Sequence, residues 1–354
     1  MKQSALLSFL LGIFLPGLLA QSATAPLPDS LRLPTMFQHL FHENAPTMTI
    51  ELDFEQLLRE KEGNIYQPAK FQYLDKSGVQ REVTVDVKPK GRSRRKICDI
   101  PPIKVRFPRE FLVANGFQPI QALEMVVICK DEPGYEQYVL REYAAYRLYN
   151  ILTDKSLRTQ LVKLKFKTTD EQEKSAEGFA FFIEPFEEMA QRLHSQILKP
   201  TRISPKGLQP REFDVLSLFE FMIGNTDWYV YNRHNIAVAH IQGDSLPIGV
   251  PYDFDYSGFA HTSYSLPAER LKISNVTTRY FLGLCRRPED WEPTLKLFQS
   301  KKPELIGFCK QFPHFDKESR QYTTGYLEDF FDLLDNPKKV EEQIVEHCGA
   351  AFIK

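Results

Sequence analysis

Residues 223–258 read IGNTDWYVYNRHNIAVAHIQGDSLPIGVPYDFDYSG, and this stretch decides what the rest of the chain is expected to be. Two short apolar runs, Ile236 to Ile241 and Ile248 to Tyr252, read as a strand pair. Polar residues stand at its edges. Asp227 precedes the first run, Asn235 opens it, and Asp253 and Asp255 follow the second. Phosphoryl transfer needs a carboxylate to orient or deprotonate an acceptor hydroxyl, plus an Asn and an Asp to hold magnesium against nucleotide phosphates. The three groups occur here in that order. The plainer reading is a set of Asx turns and helix caps around a hairpin, which Asn and Asp also favour.

The segments GNTDW, RHN (residues 233–235) and YDFD (residues 252–255) resemble the catalytic and metal-binding segments of the spore-coat CotH kinase family, and more distantly those of HipA-type and phosphatidylinositol kinases. The resemblance implies that Asp227 is the catalytic Asp, that Asn235 and Asp253 are metal ligands, and that Asp255 assists at the metal. ATP and Mg²⁺ or Mn²⁺ are then the expected cofactors, and a protein or small hydroxyl compound the expected acceptor. Asn232 stands at the shorter D-x-x-x-x-N spacing of kinase catalytic loops and remains a rival to Asn235.

Upstream, Thr47 to Asp53, Tyr66 to Leu74, Val79 to Val87, Ile103 to Phe107, Leu161 to Lys167 and Gly178 to Ile183 carry strand patterns. Tyr135 to Leu152 is a helix with no internal breaker and apolar residues on most sides, which predicts burial against two neighbours. From Glu187 onward the pattern is mainly helical: Glu187 to Leu198, Arg211 to Ile223, Trp291 to Ser300, Lys302 to Gln311 and Thr324 to His347. The expected class is α+β, a two-lobed, protein-kinase-like fold with a β-rich lobe over residues 47–183 and a mainly helical lobe over 184–354.

That arrangement implies a cation for the nucleotide phosphates on the β-rich side. Lys104, inside PPIKVRF (residues 101–107), is the first choice, and Arg92 in the basic loop KPKGRSRRK (residues 88–96) the second. A buried lysine needs a carboxylate partner. Glu142 on the long helix is favoured, while Glu136 in its first turn, more easily explained by the helix dipole, is the runner-up. Ile183 and Glu184, where the strands give way to helices, are candidates for contact with the nucleotide base.

Residues 1–20 have Lys2, an apolar run from Ala5 to Leu15 and a small-residue end at Ala20, the pattern of a secretory signal peptide. Residues 21–46 read as a flexible leader, with order starting near Thr47. No later apolar run reaches the roughly 20 residues of a membrane span. A formal net charge of −1 gives no general attraction to nucleic acid. The expected location is therefore outside the cytoplasm, in the periplasm or secreted. The five cysteines show no metal or redox spacing; Cys98 with Cys129 is the favoured disulfide, and the odd count leaves one thiol over. A catalytically inactive relative, or a secreted binding module, is the competing function. A metal-dependent hydrolase built on Asp253 and Asp255 is a third.

Overall fold

In the segment Thr47–Leu52 (β1), Met48, Ile50 and Leu52 are buried and the residues between them are not, the two-residue alternation of a strand with one face on a core. The same alternation shapes Gln67–Leu74 (β2), Gln80–Pro89 (β3) and Ile103–Arg106 (β4). Ala122–Val126 (β5), Thr159–Thr168 (β6) and Ser175–Ile183 (β7) complete the set. The computed structural model describes residues 33–169, 175–199 and 201–348.

These seven strands close into a barrel in the order β1-β2-β3-β4-β5-β7-β6. Closure depends on β1 running parallel to β6, while the other neighbours pair antiparallel. This overturns the two-lobed, kinase-like architecture expected from the sequence. The physical reason lies partly in β5, where Met125 and Val126 are buried in succession and no clean alternation marks a strand. β5 bridges β4 to β7, with Lys104 opposite Glu124 and Glu124 opposite Ile183, and so turns an open sheet into a closed one.

The helices around the barrel are Met36–His39 (α1), Phe54–Arg59 (α2), Arg94–Ile97 (α3), Arg109–Ala114 (α4) and Tyr135–Leu152 (α5). Beyond the barrel come Phe186–Arg192 (α6), Pro210–Met222 (α7), Pro288–Gln311 (α8), Lys317–Leu334 (α9) and Pro337–Val340 (α10). Ser195–Ile197 (β8), Ile236–Ile241 (β9) and Ile248–Pro251 (β10) form a separate three-stranded sheet in the order β10-β9-β8. Helix α5 joins the two regions: Tyr146 packs edge-on against Phe181 of β7 and against Phe254, just after β10, at 5.6 and 4.6 Å. One apolar core runs without interruption from Met36 to Ile344, and the described residues from Leu33 onward form one unit.

Several elements depart from their expected extents. The helix expected over Glu187 to Leu198 stops at Arg192; His194 takes φ +46° and the chain turns into β8. The two expected helices at 291–300 and 302–311 are one, α8, which accommodates Pro293 and Pro303. The expected long C-terminal helix breaks after Leu334, where Asn336 caps α10 and Pro337 opens it. Two disulfides are present, Cys98–Cys129 as expected and Cys285–Cys348, and Cys309 is the buried free thiol. The expected signal peptide lies outside the described residues. Among the described residues no helix is long and apolar enough to cross a membrane.

Ordered structure also begins ahead of Thr47. Thr35 caps α1, and its hydroxyl donates to Glu188 on α6 at 2.6 Å. Burial pushes the Glu188 carboxyl up to about 7, against the opposing effect of that hydrogen bond. A carboxyl raised in the folded state binds a proton that the unfolded chain has already lost. Its stabilisation is complete below the ordinary value of 4.5 and is lost as pH rises through about 7. Between pH 5 and pH 7 the loss at this one group is expected to be about 2 kcal/mol. Glu188→Gln should flatten that part of the pH dependence in urea titrations, and an unchanged slope would remove Glu188 as its source.

Candidate active site

The hairpin of β9 and β10 brings the candidate residues of both its flanks to one edge. Tyr252 N donates to Asn235 O at 3.0 Å, so Asp253 emerges beside Asn235 and His234. Arg233, Asn235 and Asp253 all adopt left-handed backbone, at φ +56°, +54° and +67°, conformations that non-glycine residues hold only where surrounding contacts fix them. Asn235 Nδ2 donates to Asp227 O at 2.7 Å and to Asp227 Oδ2 at 3.1 Å. The other carboxylate oxygen of Asp227 meets His234 Nε2 at 2.8 Å. That hydrogen bond raises the His234 imidazole above its ordinary value against burial, and Asp253 adds to the effect. Asn232, the rival ligand, is exposed and accepts the His234 amide at 3.3 Å in an Asx turn.

The Asp227 loop rests on a fixed base. Asn225 is buried, accepts the Asp227 amide at 3.0 Å, and its carbonyl takes Trp228 Nε1 at 3.2 Å. Below it, burial pushes the Glu220 carboxyl well above its usual range. Gly224, at φ +63°, lets this loop lie against Gly258, whose amide donates to Gly224 O at 3.1 Å. A Cβ at Gly224 would overlap the Tyr326 hydroxyl. Gly224→Ala is therefore expected to destabilise by about 2 kcal/mol or more, from the left-handed backbone and the clash together. Tyr326→Phe in that background should recover the clash portion alone, which a double-mutant cycle in urea would measure.

The second cluster surrounds Arg94, on the four-residue helix α3. Its guanidinium is buried and reaches Glu142 Oε2 on α5 at 3.1 Å, Asp255 Oδ2 at 3.2 Å outside hydrogen-bond geometry, and Asp253 Oδ1. Burial opposes the Arg94 charge, but Asp255, Glu142 and Asp253 outweigh it and hold the proton more tightly than usual. Burial pushes Asp255 well up and Glu142 to about 7, with Arg94 opposing both. Asp253 is held below its ordinary value: burial raises it, and Arg94, Lys90 and His234 more than reverse this. Two of the three acids thus lean toward the neutral form and Asp253 carries the charge. Tyr146 fixes the backbone here, its hydroxyl accepting the Asp253 amide at 2.8 Å.

This corrects the expected pairing of Lys104 with Glu142. In the β4–β5 register Lys104 lies opposite Glu124, and its Nζ sits 3.1 Å from Glu124 Oε1, while Lys90 takes the other oxygen. Arg94 reaches α5 instead. Glu136 accepts the Phe179 amide at 2.9 Å and takes no part in the cluster. Arg92 is exposed beside Arg94. The Glu184 carboxylate is buried and engaged by Arg192 at 2.7 and 2.9 Å and by the Arg158 amide at 2.9 Å. Only its backbone side, with Ile183, lines a cleft. Arg94 and Lys90 escaped sequence reasoning because six lysines and arginines between residues 88 and 96 read as an exposed turn. The nearby Cys98, tied to Cys129, is the one signal that the loop is anchored.

Two clefts adjoin these clusters and share Glu124, Ile183 and Tyr252. One, of about 120 Å³, is lined by Lys104, Pro185 and Phe186; the other, about 20 Å³, by Lys90, Arg94 and Asp253. Both are below the roughly 300 Å³ of pockets that hold small molecules. The donors suit a hard divalent cation: carboxylate oxygens of Glu142, Asp253 and Asp255 lie within 4.8 Å of one another, and Glu142 Oε1 is buried with no hydrogen-bond partner. With its Nδ2 committed to Asp227, Asn235 has its amide oxygen left for such an ion.

No family profile matches the chain. No curated protein matches it. Among solved structures it is similar to the Helicobacter pylori proinflammatory kinase CtkA, at 11% identity over 70% of this chain and 92% of that one, with a TM-score of 0.39. A likeness of that size carries no weight on activity, so what the site can do rests on its own atoms.

Proposed function

We propose that the chain is a nucleotide-dependent phosphotransferase that uses Mg²⁺ or Mn²⁺ and acts on a hydroxyl acceptor outside the cytoplasm. The observation that carries this reading is the joining of Asp227, Asn235 and Asp253 at one hairpin edge, beside a buried arginine and two clefts. Asp227 accepts or orients the acceptor hydroxyl proton, and His234 and Asn235 hold its two oxygens in place. As the acceptor oxygen bonds to the terminal phosphorus, the bond to the bridging oxygen breaks and nucleoside diphosphate leaves. Asp253 and the Asn235 amide oxygen would hold the metal, which neutralises phosphate charge when bound. Lys90 and Arg94 line the same cleft and add positive charge there. Ile183 and the Glu184 backbone bound the neighbouring cleft, where a base would sit.

The two disulfides support the extracytoplasmic part of the proposal, because such bonds persist in oxidising compartments. Fractionation of the producing cells tests it; recovery in the cytoplasm with reduced thiols would refute it. One observation favours a second reading. Arg94 already neutralises Asp253, so a chain that never releases this contact binds ligands without turnover. Equilibrium nucleotide binding with and without Mg²⁺ or Mn²⁺, followed by ³²P transfer to serine, threonine and sugar acceptors, separates the two. Metal-dependent binding with transfer supports the phosphotransferase, and binding without transfer the inactive form. No nucleotide binding overturns both.

A further inference from the structure

A larger cleft, of about 750 Å³, is bounded by α5, residues 261–263 and α9, and shares no lining residue with the two clefts at the candidate active site. Its volume is that of pockets that hold small molecules. Part of its lining is a stack of rings: His261 lies on Tyr322 at 5.1 Å and Tyr322 on Tyr326 at 5.8 Å, with interplanar angles of 25° and 27°. Hydrogen bonds fix these rings. Tyr322 Oη donates to Gly258 O at 2.6 Å, Tyr326 Oη to Thr277 O at 3.0 Å, and the His261 amide to Ser257 O at 3.0 Å.

Arg141 of α5 lines the same cleft, 5.1 Å from the Tyr138 ring and 5.6 Å from the Tyr322 ring. It is half-buried, yet its one hydrogen bond among the described residues runs from Nε to Gln137 O, a turn back on its own helix, at 3.4 Å. Nη1 and Nη2 have no partner, and no described carboxylate comes within ion-pair distance. Every other buried or half-buried arginine described either engages a carboxylate, as Arg94, Arg106, Arg192 and Arg286 do, or places a terminal nitrogen on an oxygen. Arg95, Arg147, Arg233, Arg279 and Arg320 are of that second kind. Burial loosens the proton of Arg141, and the attraction of Tyr138, Tyr322, Asp316 and Glu318 does not make up the difference. The protein thus holds a partly desolvated cation over aromatic faces, oriented but not neutralised, at the side of a roomy cleft.

We infer that this cleft binds a small aromatic monocarboxylate, with the carboxylate on Nη1 and Nη2 of Arg141 and the aromatic body along the His261–Tyr322–Tyr326 stack. The planar guanidinium fork matches a carboxylate through two parallel hydrogen bonds, and the rings offer a flat apolar surface beside it. Glu318 and Asp329 line the cleft as well. Their charge counts twice against a dianion such as a phosphomonoester and once against a carboxylate, so the site favours the single charge. The inference goes beyond the proposed phosphotransferase and does not rest on it, and no nucleotide enters its test.

The test is titration of the full chain with 2-naphthoate, 2-naphthamide and 2-naphthyl phosphate, followed by ligand-observed saturation-transfer NMR. The carboxylate should bind saturably with a dissociation constant of about 1 mM, as befits a ligand of this size. The amide, which keeps the rings and loses the charge, should bind about tenfold less well. The phosphate should also bind more weakly than the carboxylate. Arg141→Gln should lower naphthoate affinity by about tenfold and leave naphthamide unchanged, a split that damage to the cleft wall would not produce. A urea midpoint matching the parent chain shows that this variant is folded. Equal affinity for naphthoate and naphthamide in the parent chain overturns the inference without recourse to any variant. Undiminished naphthoate binding by folded Arg141→Gln overturns it too, as does a phosphate that binds more tightly than the carboxylate.

Discussion

Asp227→Asn is expected to lower phosphoryl transfer by about 10³-fold, with nucleotide affinity changed by no more than about twofold. The amide has nearly the shape of the carboxylate but cannot take a proton from the acceptor. Asn235 still finds an oxygen at that position, so the loop held by Asn225 and Trp228 should keep its form. Asp253→Asn should behave differently. Asp253 is the acid of its cluster kept ionised, so its loss removes a metal ligand and should weaken both metal-dependent binding and transfer. Single-turnover transfer and equilibrium nucleotide titration read the two effects separately. Transfer within tenfold of the parent in Asp227→Asn would show that some other group serves the hydroxyl. His234, bonded to the same carboxylate, would be the first to test.

What could be read in advance divides along physical lines. Alternation and turn residues were enough for most of the barrel strands, because one buried face imposes a two-residue period. They were not enough for β5, which has Met125 and Val126 buried in succession and Glu124 half-buried on a cleft, and so shows no clean alternation. Barrel closure rests on that strand and on the parallel pairing of β1 with β6, a contact between residues more than a hundred positions apart that no local pattern carries. At the site, Asp227, Asn235, Asp253 and Asp255 were legible because their spacing around a hairpin brings them together. The pairing of Glu142 was not. Its burial on α5 showed that it needed a cation, but which cation reached it depended on the path of the loop before Cys98. Lys104 had the right strand pattern and a nearer carboxylate in Glu124.

Arg94→Met should be among the most destabilising substitutions in the protein, lowering the free energy of unfolding by about 3–5 kcal/mol. The arginine holds three carboxylates that come from different parts of the chain, Glu142 from α5 and Asp253 and Asp255 from the segment after β10. Without it, Glu142 and Asp255 are left buried beside an ionised Asp253. The remedy open to the mutant is proton uptake, so its deficit should shrink as pH falls from 8 to 5, the range in which Glu142, raised to about 7, becomes neutral. Adding Glu142→Gln and Asp255→Asn should recover much of the loss, since neutral groups of the same shape no longer need a countercharge. The same vacated carboxylates are hard oxygen donors within 4.8 Å of one another. Millimolar Mg²⁺ or Mn²⁺ should therefore raise the urea midpoint of Arg94→Met more than that of the parent chain, through binding to the folded state alone. An Arg94→Met protein as stable as the parent and indifferent to both pH and metal would mean that the guanidinium is not what holds these acids together.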